Sequence, residues 1–427
     1  MKKVRILPSK LKGEIRVPSS KSLAHRAIIA AGLAAGKSLI TNLDFSEDLT
    51  ATVEGMAALG ADLERRGNSL FIDGSKFGQW GDRTILIDCN ESGTTLRLLL
   101  PLALVKENRV LFKGRGNLGK RPLDPYYEIF ERQGIKHSLG KEGLELRVEG
   151  SLKAGEYRIR GDISSQFISG LLFALPLLTG DSRLIITTEL ESKGYVDLTL
   201  DMLNQFGIRV ENSAYREFFI PGKQSYQAKN VEIEGDFSQA AFFLVAGVLG
   251  SDIKCTGLNP HSLQGDKAIL DLLKDMGGKI IVNQEYIKAE SSLTKGRVID
   301  ASQYPDLIPI LAVLAALSTG TTEIVNAGRL RIKESDRLKA ISDGLSRLGG
   351  DIKELSDGLI IKGRKYLEGG LVDSWKDHRI AMALAIASTG CKKPVVITNS
   401  DAVKKSYPEF WADFKSLGGK VDERNLG

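Results

Sequence analysis

The sequence predicts an α/β fold of two pseudo-threefold domains, with apolar helices buried inside a ring of strands. Three observations carry that expectation. A helix-to-strand turn marked by glycine recurs along the chain, the helix before each turn is apolar nearly all round, and a second, more polar helix follows before the next strand. The turn glycines Gly36, Gly180, Gly250, Gly320 and Gly390 stand 144, 70, 70 and 70 residues apart. Halving the long interval puts a further turn at Asn108, in VKENRVLF, so six units of about 70 residues fill the 427-residue chain.

In unit order the first helices read KSLAHRAIIAAGLA, GTTLRLLLPLALV, SSQFISGLLFALPLL, FSQAAFFLVAGVL, PDLIPILAVLAAL and HRIAMALAIAS. A helix with no polar face belongs in the interior. The second helices are amphipathic. In DRLKAISDGLSRLGG, Leu338, Ile341, Leu345 and Leu348 fall on one face. TATVEGMAALGADLERR, before SLFIDG, reads as a similar helix running to Arg66. The interior helices begin with polar residues, so their partial positive ends can form a surface that attracts anions.

Composition narrows the function. Lys and Arg number 59 against 53 Asp and Glu, a net charge of +6, which suits a small anionic substrate better than a nucleic acid. The cysteines, Cys89, Cys255 and Cys391, lie far apart and have no zinc spacing with the four histidines. Neither a disulfide scaffold nor a metal site is expected. The start, MKKVRILPSKLKGEIR, has no apolar core of a secretory signal, and the apolar run Leu307–Leu317 is shorter than the roughly 20 residues of a bilayer span. A cytoplasmic protein that binds no membrane is expected.

Two nucleotide-binding patterns are decoys. Ala31 to Ser38 fits a loose P-loop, but a helix precedes it and the strand SLITNL follows, the reverse of what phosphate binding needs. Gly114 to Gly119 fits GxGxxG, yet Lys120, Arg121 and Pro122 follow where a helix should start. This segment is better described as a basic loop carrying Arg115, Lys120 and Arg121.

The informative residues are charges at the starts of apolar helices, because burying a charge requires a partner. They are Lys21, Arg26, Arg97, Asp306, His378 and Arg379, with a dense cluster in GRLRIKESDR: Arg329, Arg331, Lys333, Glu334, Asp336 and Arg337. Internal ion pairs would account for any one of them. Taken with Ser22, Thr94, Ser164, Ser165 and Gln166, they read as a cradle for a polyanion, and Gly93 lets backbone N–H groups approach an anion closely.

At these residues the chain resembles the EPSP synthase family, the 3-phosphoshikimate carboxyvinyltransferases. The resemblance spans the whole chain and rests on PSSKSLAHRA, ESGTTLR, KRP, GDISSQF, ESKGYVD, YPDLIP, RIKESDRL, KDHRIAMA and KKSYPEF. It implies two domains of three βαβαββ units each, an inside-out α/β barrel arrangement. The expected domains are 1–19 with 234–427, and 20–233, with the active site in the cleft between them. It also implies transfer of the enolpyruvyl group of phosphoenolpyruvate to the 5-hydroxyl of shikimate 3-phosphate, in chorismate and aromatic amino acid biosynthesis. No cofactor or metal and no nucleic-acid partner is implied, and a monomer is expected.

Carried over by position, Lys21, Ser22, Arg26, Ser164, Ser165, Gln166, Ser192, Tyr195, Asp306, Arg329 and Lys333 correspond to shikimate 3-phosphate contacts. Lys21, Gly93, Arg121, Gln166, Arg337, Arg379 and Lys405 correspond to the phosphoenolpyruvate clamp. The chemistry fits these types of residue. Two phosphates and a carboxylate call for several cations, and paired carboxylates in a cationic field can divide acid and base work. Asp306 is expected as the base and Glu334 as the proton donor to carbon, with Lys21 assisting. His378 is either a further relay member or a structural neighbour of Asp377. Glu91 and Arg329 stand where many family members have Asn. Arg329 either strengthens the phosphate contact or turns to solvent. The family's inhibitor glyphosate is expected to compete with phosphoenolpyruvate.

Two other functions fit the sequence less well. The UDP-N-acetylglucosamine enolpyruvyl transferases usually carry a reactive cysteine in the loop before the KRP-like arginine, and KGRGNLGKRP has none. An RNA-binding or RNA-end-modifying repeat protein would call for a stronger basic or aromatic-basic stripe.

Overall fold

The computed structural model describes residues 2–140 and 143–424. The chain divides into two compact units, one of Met1–Pro18 with Glu234–Gly427 and the other of Ser19–Ile233. The extreme ends of the expected domain 1–19 with 234–427, at Met1 and residues 425–427, lie outside the described residues. Each unit has its own apolar core.

Unit Ser19–Ile233 carries α1 (Lys21–Leu33), α2 (Glu47–Ala58), α3 (Gly93–Leu102), α4 (Asp124–Gln133), α5 (Ser165–Ala174) and α6 (Lys193–Gln205). The other unit carries α7 (Phe237–Val248), α8 (Ile269–Asp275), α9 (Ile308–Ala316), α10 (Arg337–Arg347), α11 (His378–Ala387) and α12 (Phe410–Ser416). The odd-numbered helices are the apolar ones. Every residue of α7, α9 and α11 is buried, and α1, α3 and α5 expose only one or two first-turn positions each. The even-numbered helices are amphipathic. Leu338, Ile341, Leu345 and Leu348 are fully buried along one side of α10 and just past it, while Lys339 and Arg347 face solvent.

Among the described residues, six four-stranded sheets surround these helices, three per unit. One shows the pattern. Val298–Asp300 crosses through α9 to the parallel strand Thr321–Val325, which pairs antiparallel with Gly358–Lys362, and this in turn pairs with Asp351–Leu355. That is a βαβαββ unit. Some sheets recruit strands from far along the chain. Lys12–Arg16 lies parallel to Asp252–Thr256, and Lys3–Leu7 sits between Val395–Thr398 and Lys420–Arg424. These pairings put the N-terminal 18 residues in the same unit as the C-terminal half.

The turns agree with the period, with one variation. Gly250 and Gly320 take φ of +99° and +79°, which L side chains rarely adopt. At the position without glycine, Asn108 donates from Nδ2 to the Ala103 carbonyl just past α3 and so closes the helix with its side chain. One element differs from expectation. The helix read as reaching Arg66 stops at Ala58, and Asp62–Arg66 is a strand paired with Ser69–Asp73. The cause is Gly60, whose φ of +99° ends the helix before the charged residues that resemble its continuation.

Candidate active site

Most of the candidate residues stand at helix N-termini, where backbone N–H groups lack intrahelical acceptors. Ser20 caps α1 and Lys21 is its first residue; Ser92 caps α3, which Gly93 begins; Ser164 caps α5, which Ser165 begins. In the other unit, Asp336 caps α10, which Arg337 begins, and Asp377 caps α11 ahead of His378 and Arg379. The local sequence dictates this placement, because Ser and Asp accept from the first-turn N–H groups and the apolar run follows at once.

In unit Ser19–Ile233 the residues form a linked set. Lys21 Nζ pairs with Asp48 Oδ2 of α2 at 2.7 Å. Arg26 is 3% exposed, and its guanidinium donates to the carbonyls of Ser22 (2.7 Å) and Tyr195 (2.9 Å) and to Thr199 Oγ1 (2.8 Å). Burial pushes its pKa down to about 10, against the opposing effect of Tyr195. Gln166 donates from Nε2 to Thr94 Oγ1 at 2.8 Å and accepts from Arg97 Nη1 at 3.0 Å, so the start of α5 is tied to that of α3. Arg121 lies over Gly93 so closely that a Cβ there would sit 2.5 Å from Nη1. Ser192 is buried in a left-handed conformation, φ +56°, just before α6.

The other unit is built on ion pairs. Arg337 is 1% exposed and meets three carboxylates: Asp377 Oδ2 at Nε (2.8 Å), Asp306 Oδ1 at Nη1 (2.8 Å) and Glu334 Oε2 at Nη2 (2.6 Å). The second oxygen of Asp306 takes Arg379 Nη2 at 2.8 Å. Asp306 thus bridges two guanidinium groups with its two oxygens, as a bidentate carboxylate ligand would. Burial alone would raise its pKa, but Arg379, then Arg337 and Lys333, hold it far below the usual carboxylate range. Lys333 is pushed down to about 7, first by burial and then by Arg329 and Arg337, with Asp306 and Glu334 opposing. Arg329 is buried, with Nη2 on the Ser302 carbonyl at 2.8 Å, so it turns inward to this cluster. Lys405 Nζ donates to the Lys376 carbonyl at 3.1 Å, bracing the loop that precedes α11.

His378 is buried with Nδ1 3.9 Å from Asp377 Oδ1, beyond hydrogen-bond reach. Asp377 itself is committed to Arg337, to Ser335 Oγ and to the Arg379 amide. Glu91 reaches under the basic loop to Gly116, a glycine at φ +57°. All three cysteines are buried, and burial raises the Cys89 thiol pKa, so it is poorly suited to act as a nucleophile. Among the described residues, no group of three His, Cys, Asp or Glu could hold a metal ion, and no helix is long and apolar enough to cross a membrane.

Asp48, Asp377, Ser169 and Thr199 were not among the sequence candidates, although they hold the residues that were, while Arg97, read as one of the cradle's charges, ties Gln166 in place. Asp377 and Asp48 could have been found, since each is an acid at a helix start within a motif or just after a Ser cap. Thr199 and Ser169 carry no such signal, because their hydroxyls matter only through the packing that brings them to Arg26.

Residues 7–414 match the profile of the family described as EPSP synthase (3-phosphoshikimate 1-carboxyvinyltransferase). A protein of that activity from Clostridium perfringens is 60% identical over 420 residues, covering 98% of this chain and 99% of that protein. One from Clostridium novyi is 55% identical and is covered in full. Among solved structures, EPSP synthase from Acinetobacter baumannii matches with a TM-score of 0.82 at 26% identity, over 100% of both chains. The enolpyruvyl transferase NikO from Streptomyces tendae gives the same TM-score over 99% of this chain and 98% of its own, at 18% identity, a likeness of fold.

Two tests follow from the ion pairs. Asn caps a helix as well as Asp does, so Asp377→Asn isolates the charge on Arg337. It should cost about 2–3 kcal/mol in urea unfolding, since Asp306 and Glu334 still hold Arg337. A loss below about 0.5 kcal/mol would show that Asp377 acts as a cap alone. Lys333 should add a pH-dependent contribution to stability. Its folded pKa of about 7 lies below the unfolded value near 10.5, so the unfolded chain binds the extra proton between these pH values. Its burial penalty is fully present below about pH 7, and stability rises through that window. Lys333→Met should flatten this rise in melting curves taken across the window.

Proposed function

The chain belongs to the EPSP synthase family, and from that premise we propose that it transfers the enolpyruvyl group of phosphoenolpyruvate to the 5-hydroxyl of shikimate 3-phosphate and releases inorganic phosphate. The observation that best supports this is Asp306 straddling Arg337 and Arg379, because the pair of guanidinium groups forms a ready receptor for a substrate carboxylate.

The reaction is addition followed by elimination. The hydroxyl oxygen adds to C2 of phosphoenolpyruvate while the methylene carbon gains a proton. Loss of phosphate from C2 and of a proton from the new methyl group then restores the double bond. Glu334 is proposed to deliver the proton to carbon and Asp306 to accept the hydroxyl proton, with Lys21 at the reacting atoms and His378 as a further relay group. While Asp306 is paired to two arginines it is too weak a base for this role. In our proposal the substrate carboxylate takes its place on Arg337 and Arg379. The released Asp306 then loses its cationic partners and becomes more basic.

Arg121, Gln166, Lys405 and the amide of Gly93 complete the phosphoenolpyruvate contacts in this reading. Shikimate 3-phosphate falls to Lys21, Ser22, Ser164, Ser165, Gln166, Ser192, Tyr195, Asp306, Arg329 and Lys333. Arg26 is assigned to shikimate 3-phosphate as well, and it holds the Ser22 and Tyr195 carbonyls. Glyphosate is proposed to compete for the phosphoenolpyruvate contacts. The enzyme is further proposed to act in the cytoplasm as a monomer, without a metal, an organic cofactor or a nucleic-acid partner.

Phosphate release on mixing both substrates, with each omitted in turn, tests the reaction. No release with both present refutes it. Asp306→Asn and Glu334→Gln should each lower turnover by roughly 10²–10⁴. Asp306→Asn should leave the KM for phosphoenolpyruvate unchanged or lower, because an internal competitor is gone. A raised KM would argue against the exchange of carboxylates. Gly93→Ala must push the Arg121 guanidinium aside. It should weaken inhibition by glyphosate, the longer ligand, more than it raises the KM for phosphoenolpyruvate. Equal factors on the two constants would contradict this steric account.

A further inference from the structure

A buried polar chain lies behind the residues assigned to substrate in unit Ser19–Ile233, and none of the roles above uses it. His25 stands one helical turn beyond Lys21 in α1 and is fully buried. Its Nδ1 is 2.7 Å from Thr52 Oγ1 of α2, and Thr52 Oγ1 is 2.7 Å from Thr95 Oγ1 of α3. Thr95 Oγ1 is in turn 2.8 Å from Oγ of Ser92, the cap of α3. All four residues are at most 1% exposed. Thr95 Oγ1 also lies 3.3 Å from the carbonyl of Asp48, whose side chain holds Lys21. The chain therefore joins the N-terminal halves of three helices, and it does so close to Lys21, Gly93 and Thr94.

Two further observations show that the arrangement is built to close tolerance. α2 and α3 meet at Gly55, where an added Cβ would collide with Leu99 and come within 3.3 Å of Ile87. Each hydroxyl has a single proton, so the chain runs in one sense from end to end. If Nδ1 of His25 carries the proton, His25 donates to Thr52, Thr52 to Thr95 and Thr95 to Ser92. Thr95 is the donor to Ser92, so its proton is spent there and the chain favours this tautomer. Burial, then the cations of Lys21 and Arg26, hold the imidazole pKa well below its ordinary value, which keeps it neutral and able to serve in such a chain.

We propose that His25, Thr52 and Thr95 are positioning residues that lock the N-terminal halves of α1, α2 and α3 in register. They thereby set Lys21 and the Gly93–Thr94 end of α3 for phosphoenolpyruvate. Hydroxyls in low dielectric surroundings suit this task, since a satisfied network is stiff and a broken one is costly. The proposal rests on the substrate assignment given under Proposed function.

Thr52→Val and Thr52→Ser separate the hydrogen bond from the packing. Valine keeps the shape of threonine and deletes the link; serine keeps the link. In Thr52→Val, kcat/KM for phosphoenolpyruvate should fall about 10–100-fold, with the KM for shikimate 3-phosphate within about twofold of wild type. Thr52→Ser should recover to within about threefold of wild type. Wild-type behaviour of the valine variant, a serine variant as impaired as valine, or an equal rise in both KM values would each overturn the proposal. Spectra of ¹⁵N-histidine-labelled protein read the network without catalysis, with His25 assigned through His25→Asn. His25 should hold one neutral tautomer from about pH 5 to 8 in wild type and Thr52→Ser, and become a tautomer mixture in Thr52→Val. An unchanged tautomer in Thr52→Val would also overturn the proposal. Because these spectra need no turnover, they judge the network separately from the reaction: absent phosphate release with the expected spectra would refute the reaction alone.

Discussion

A helix that is apolar around its whole circumference can hide its flanks behind strands, yet its first backbone N–H groups still need acceptors. The architecture of this protein depends on meeting that constraint repeatedly. Ser20, Ser92, Ser164, Asp236 and Asp377 meet it by capping α1, α3, α5, α7 and α11. The caps bring polar side chains to the ends of otherwise apolar rods, and the first helical positions beside them carry Lys21, Gly93, Ser165, His378 and Arg379. Polar groups needed to finish the fold and groups suited to bind anions therefore occupy the same places.

The two units hold those groups by different physics. In unit Ser19–Ile233 the ties are mostly hydroxyl and amide hydrogen bonds: His25 to Thr52 to Thr95, Gln166 between Thr94 and Arg97, and Arg26 on backbone carbonyls. Such short links, none of them an ion pair, fix geometry. In the other unit the ties are charge pairs centred on Arg337, which is so deeply buried that it needs its carboxylate partners to remain charged at tolerable cost. Asp377, fully buried and triply bonded, belongs to the permanent part of that cluster, while Asp306 keeps about a fifth of its side chain exposed.

Under the proposed function, that difference in exposure would let buried arginines serve a substrate. An unpaired buried guanidinium is costly, so cations awaiting an anionic ligand are best kept neutralised by a carboxylate that can move aside. In the proposed reaction one carboxylate replaces another, and the number of charge pairs on Arg337 and Arg379 is conserved. In that proposal the same exchange ties the basicity of Asp306 to the arrival of phosphoenolpyruvate.

The six-unit period, the buried helices and the polar character of their starts were legible in the sequence, because each is written in residues close together along the chain. Gly250, Gly320 and the caps act within a few residues of themselves, and the motifs that carry the family resemblance are equally local. The limit of α2 was misread for a related reason: Asp62–Arg66 continues a helical pattern, and only the backbone at Gly60 reveals the break. Tertiary structure alone decided the partners. That Thr199 would meet Arg26, that Asp306 would span Arg337 and Arg379, and that His25 would begin a chain ending at Ser92 depends on elements whose bonded residues lie between 27 and 173 positions apart being packed together. A hydrogen bond is set by distances of a few tenths of an ångström, and sequence spacing holds no record of them.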